Sequence, residues 1–99
     1  MVWKVVALIC QVEMRIQDAT TLKEKRSVVK SIIERTKKKH FISIIESDFQ
    51  DFWQKSQLSF AFCSLNLKDA DKKLNNILDY IESNPYIEVY DIQREEVHL

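Results

Sequence analysis

The stretch "LSFAFCSLNLKDADKKLNNILDYIESNPYIEVYDI" (residues 58–92) decides the fold, because it reads as strand, helix and strand in succession. "LSFAFCSL" is a short apolar run of strand length. In "KDADKKLNNILDYIESN" the residues Ala70, Leu74, Ile77, Leu78 and Ile81 fall on one face of a 3.6-residue helix. Asn84-Pro85 stops that helix, since a residue before proline is pushed out of the helical region. "YIEVYDI" closes the unit as a strand, and "QREEVHL" extends or frays it.

The same pattern lies upstream. In "VWKVVALICQVEMRI" (residues 2–16) Gln11, Glu13 and Arg15 alternate with Cys10, Val12, Met14 and Ile16, which predicts a half-buried strand with its even residues inward. Thr21 and Glu24 form a capping box that opens a helix with Leu22, Val29, Ile32, Ile33 and Thr36 inward. It ends near "KKKH", where cations suit the carbonyl end of the helix dipole. "FISIIESD" (residues 41–48) is the second strand, and "FQDFWQKSQ" connects it to the third.

The order is therefore βαββαβ. Right-handed crossovers put both helices on one face of the sheet. This is an α+β, ferredoxin-like sandwich: one domain over residues 1–99, with a four-stranded antiparallel sheet in the order 4-1-3-2. Chain direction alternates, so residues near 17–26, 49–56 and 83–86 should gather at one end.

Composition narrows the function. Fifteen basic and fifteen acidic residues cancel, so only a local patch can attract a polyanion. Glycine is absent, which removes every phosphate-cradling glycine loop. No apolar run is long enough to span a bilayer, and the start reads as a strand rather than a signal peptide, so no membrane partner and a cytoplasmic setting are expected. Cys10 and Cys63 sit in apolar runs without a C-x-x-C neighbour and read as buried, reduced thiols. His40 and His98 have no metal-ligand spacing. No catalytic residue, metal or cofactor is expected.

Three surfaces stand out. From Thr21 to Lys39 the chain holds eight cations and two acids, leaving seven against thirteen elsewhere. Lys23, Lys30, Lys37 and Lys38 belong to the helix's outer face and, with Arg26, Trp53 and Lys55, are the candidates for nucleic-acid binding. Lys25 instead falls on the inward stripe, where it needs an anion; Glu46, of the same parity as Ile42 and Ile44, is the natural partner, with Asp48 as an extension. Gln50, Asp51 and Gln54 complete an end cluster of undefined role, with a small-ligand site or enzyme near Lys25 and Asp51 as the weaker alternative. Glu46, Asp48 and Asp51 could hold a hard cation, but a hairpin acid cluster is more often solvated. Trp53 in a polar loop is either a docking anchor or a plug over the core. Phe60 and Phe62 echo the base-stacking aromatics of RNA-recognition modules, but large side chains more often fill cores, and they are expected there. Finally, Trp3, Val5 and Ile9 would line the open sheet face, the candidate surface for a homodimer.

"LKEKRSVVKSII" followed by "ESDFQDFWQKSQLSFAF" resembles the YlxP-like family of small bacterial proteins, a domain of unknown function, over essentially the whole chain. Phe49 and Ser59 stand where many members have glycine. The resemblance implies a ferredoxin-like fold, a bacterial cytosolic setting and, because family genes tend to lie among translation genes, an RNA or ribosomal partner. It brings no activity and no catalytic residues. The alternative is a protein–protein adaptor that touches no nucleic acid.

Overall fold

Strand β1 runs Val6–Ile16, followed by α1 (Leu22–His40), β2 (Ser43–Asp48), β3 (Lys55–Ser64), α2 (Leu67–Glu82) and β4 (Ile87–His98). This is a computed structural model, and it describes residues 5–99. The sheet order is β2-β3-β1-β4 with every neighbouring pair antiparallel, the expected sandwich.

The parity of β1 places the core. Val6, Leu8, Cys10, Val12, Met14 and Ile16 are all buried beneath the helices. On β3 the residues opposite them are Phe62, Phe60 and Leu58, also buried, so both phenylalanines are core and not a stacking platform. Burying each such side chain is worth about 1.5–3 kcal/mol. Burial pushes the Cys10 thiol up to about 11, an effect that Arg94 opposite it only partly offsets. Cys63 departs from expectation: with Phe60 and Phe62 inward, alternation turns Ala61 and Cys63 to the open face, and the Cys63 thiol is exposed.

Helix α1 begins where Thr21 Oγ1 accepts from the Glu24 N–H at 3.1 Å. The Glu24 carboxylate reaches back to Thr20, accepting from its hydroxyl at 3.0 Å and its N–H at 3.3 Å. Lys25, Val29, Ile32 and Thr36 form its buried stripe, while Leu22, Val28 and Ile33 are half-buried. Its end corrects the sequence boundary. Phe41 is the helix cap in the left-handed region (φ 53°), so β2 starts at Ser43. A turn of that hand favours glycine, and a chain without glycine must use another residue. Phe41 takes the position with its ring 88% exposed.

Helix α2 is capped by Asn66, whose Oδ1 accepts from the Asp69 N–H at 2.8 Å, and buries Ala70, Leu74, Ile77 and Ile81, with Leu78 half-buried. Strand β4 does not fray at Ile92 but pairs with β1 as far as Val6↔His98. Its register slips beside Glu13 and Met14, which face Asp91 and Val89, and Tyr90 is left over as a bulge. Beyond the bulge Arg94 ties the strand to α2, bonding Asp71 and Glu96, each at 2.6 Å. The molecule is elongated, 55 × 20 × 19 Å.

Candidate end-cluster surface

The three connections expected to meet do so, joined by long-range hydrogen bonds. The Ile16 N–H donates to the Gln54 carbonyl at 2.9 Å, and the Gln17 N–H to the Tyr86 carbonyl at 2.8 Å. The Gln54 side chain donates through Nε2 to the Ala19 carbonyl at 3.0 Å. Gln54 is thus the stitch between the β2–β3 hairpin and the β1–α1 loop.

Lys25 sits beneath this knot with 0% exposure. Its Nζ donates to Glu46 Oε2 at 2.7 Å, to the Phe49 carbonyl at 2.8 Å and to the Gln50 carbonyl at 3.3 Å. The same Glu46 oxygen accepts from the buried Ser56 hydroxyl at 2.6 Å. All three ammonium protons are engaged, so the geometry fits a clamp between helix and hairpin rather than a free amine. Asp48 does not extend the pair. It accepts from the Phe49 N–H at 2.7 Å instead, supporting a turn in which Phe49 holds a left-handed φ of 63°. The turn aims the Phe49 carbonyl at Lys25.

Above the clamp the surface is open. Arg26 and Asp51 approach at 3.6 Å, both well exposed, a contact worth at most about 1 kcal/mol. Trp53 is 56% exposed and stands out from the hairpin. The sequence reading missed its companions. Phe52 is equally exposed and meets the Phe49 ring edge-on at 5.3 Å, and Lys55 Nζ lies 4.1 Å over that ring. Arg15, Phe52, Gln54, Lys55 and Tyr90 line a shallow hollow of about 500 Å³. Phe52 was visible as a second aromatic in a polar hairpin; Tyr90 arrives through the bulge, which no periodicity announces.

The other nominated residues fall elsewhere. Lys23, Lys30, Lys37 and Lys38 are exposed along the outer face of α1, whereas Arg26 joins the buried Lys25 in meeting the hairpin. Glu46, Asp48 and Asp51 do not converge on a cation position, and no group of three or more metal-binding side chains occurs among the described residues. Val5 and Ile9 lie on the open face at 38% and 44% exposure, joined by Val97 and Leu99 of the neighbouring chain end. Trp3 lies outside the described residues. The other half of that face is mainly polar, the exposed Ile45 apart: Ser47 Oγ bonds Ser59 Oγ at 2.7 Å and donates to Gln57 Oε1 at 2.9 Å. Among the described residues no helix is long and apolar enough to cross a membrane.

The family described as "Protein of unknown function (DUF503)" matches residues 7–94. "Uncharacterized protein YlxP" of Bacillus subtilis (strain 168) is 41% identical over 76 residues, covering 77% of this chain and 83% of that protein. Among solved structures, the de novo designed protein Foldit4 overlays with TM-score 0.52 at 12% identity, covering 90% of this chain and 96% of its own. The 30S ribosomal protein S6 of Thermotoga maritima overlays with TM-score 0.47 at 10% identity, covering 92% and 88%.

Proposed function

The chain belongs to the DUF503 family of proteins of unknown function, and we propose that it is a non-enzymatic, cytoplasmic binding module for structured RNA or a ribosomal particle. One observation carries this reading: exposed Phe52, Trp53 and Tyr90 stand with Arg15 and Lys55 at the end where the basic helix α1 begins. Aromatic faces interleaved with cations suit unpaired bases and their phosphates, since every base has a face to stack and every nucleotide a charge to neutralise. The lysines of α1 extend the electrostatic reach without reading sequence.

The test is a salt-titrated binding assay with ribosomal RNA. Replacing Lys23, Lys30, Lys37 or Lys38 by Gln is expected to weaken binding across all RNAs and to reduce the salt slope by about one per contact. Trp53→Ala and Phe52→Ala are expected to cost about 1–3 kcal/mol each, with little change in slope. Glu88 is the cross-strand neighbour of Arg15, and Glu88→Gln should tighten binding. Affinity that is weak, insensitive to salt and indifferent to these variants would sink the RNA reading in favour of a protein–protein adaptor.

A second reading concerns assembly and is independent of RNA. Val5, Ala7, Ile9, Ala61, Cys63, Val97 and Leu99 share one half of the open sheet face, as the registers β1–β3 and β1–β4 require. We infer that two copies of the chain associate through this apolar half.

A further inference from the structure

A second cleft lies on the helix side, between α1 and the end of α2, with a volume of about 390 Å³. Two stripes of α1 build it, each with four-residue spacing. Ser27, Ser31 and Arg35 form a polar rim, and Val28, Ile32 and Thr36 form the floor. Tyr80 of α2 and Tyr86 of the α2–β4 loop supply aromatic walls. No carboxylate lines the cleft. The positive character continues beyond Arg35, because Lys39 Nζ lies 4.7 Å over the Tyr80 ring.

The floor carries an anomaly. Thr36 is fully buried, and among the described residues its Oγ1 has no hydrogen-bond partner. Buried hydroxyls are nearly always paired, so an orphan at the base of a cleft marks a donor held in reserve. The Thr36 hydroxyl is closed off from solvent, so engaging it requires the two helices to part slightly.

We propose that this cleft binds a nucleoside 5′-monophosphate group, free or at the 5′ end of an RNA. The base packs against Tyr80 and Tyr86 with an edge toward Thr36, and the phosphate meets the Arg35 fork and the Ser27 and Ser31 hydroxyls. The volume falls within the range of small-ligand pockets. The inference does not rest on RNA binding by the hairpin, which lies on other residues.

The experiment is a nuclear magnetic resonance titration of the full chain. The probes are the four nucleoside 5′-monophosphates, adenosine, inorganic phosphate, and one short oligoribonucleotide with and without its 5′-phosphate. At least one monophosphate should shift amides within 27–36 and 80–86 saturably, and adenosine and phosphate alone should bind at least tenfold more weakly. Arg35→Gln should lose tenfold or more. Thr36→Val should lose threefold or more while its Tm stays equal or rises, which separates lost binding from lost folding. A preference for the phosphorylated oligonucleotide over every free monophosphate identifies the RNA end as the source; the reverse identifies a free nucleotide. Phosphate binding as well as any nucleotide would reduce the cleft to an adventitious ion only and overturn the proposal, as would wild-type binding by both variants. Monophosphate binding and salt-titrated binding of ribosomal RNA are read in separate assays, so the two readings fail separately.

Discussion

At the scale of single residues, Lys25 shows what a buried charge requires. An ammonium taken fully out of water must have every proton bonded, and Glu46, Phe49 and Gln50 supply the acceptors. Lys25→Met leaves the Glu46 carboxylate without its counter-ion and two carbonyls without their donor, and is expected to destabilise the fold by about 3 kcal/mol in urea melts. Adding Glu46→Leu should recover part of that loss, because it removes the stranded charge. His40 gives the chain a pH dependence. Desolvation, with Lys39 and Lys73 nearby, holds its pKa below the ordinary value of 6.5. The unfolded chain therefore takes up a proton first as pH falls, so stability should decline below about pH 6.5 by less than one proton's worth. His40→Gln should flatten that slope in melts compared at pH 7.5 and 5.5. The Lys25–Glu46 pair was legible in the sequence, because a helical wheel and a strand parity both pointed to one spot. The two carbonyls were not, since they depend on the left-handed turn at Phe49.

At the scale of elements, the chain's lack of glycine is felt at its turns. Asp18, Phe41 and Phe49 all hold positive φ. For a residue with a Cβ that conformation costs about 1–2 kcal/mol. Phe41 contributes little packing in return, so Phe41→Gly is expected to raise stability by about 0.5–1 kcal/mol, measurable as a higher urea midpoint. Phe49→Gly should gain less, because the ring contacts with Phe52 and Lys55 are lost. Both helices, the parity of β1 and the sheet order could be read from periodicity, the capping box of Thr21 and Glu24, the proline stop after α2 and crossover handedness. The start of β2 could not: an apolar phenylalanine after a lysine run looks like a strand residue when it is in fact a cap. The bulge at Tyr90 depends on how β4 meets β1, whereas the outward thiol of Cys63 follows from alternation once Phe60 and Phe62 fill the core.

At the scale of the whole molecule, its two ends differ in character. A compact 99-residue domain has a radius of gyration of about 13 Å, and this one has 14.4 Å because β1 and β4 run far beyond β2. The hairpin, its aromatics and the start of α1 occupy one end, and the apolar half of the open face occupies the other. Ile9→Asp or Val97→Asp is expected to convert a dimer to a monomer in light scattering, while oxidation should cross-link the wild type through Cys63. A wild-type monomer at high concentration would remove this self-association. The hairpin end is built unlike an ordinary loop cluster. The Ile16 and Gln17 amides and the Gln54 side chain bridge three chain connections that are far apart in sequence. Those amides should exchange with solvent only when the sheet itself opens, as slowly as the core strands. A partner docking there would find the surface already rigid, spending little conformational entropy and leaving the backbone almost where it found it.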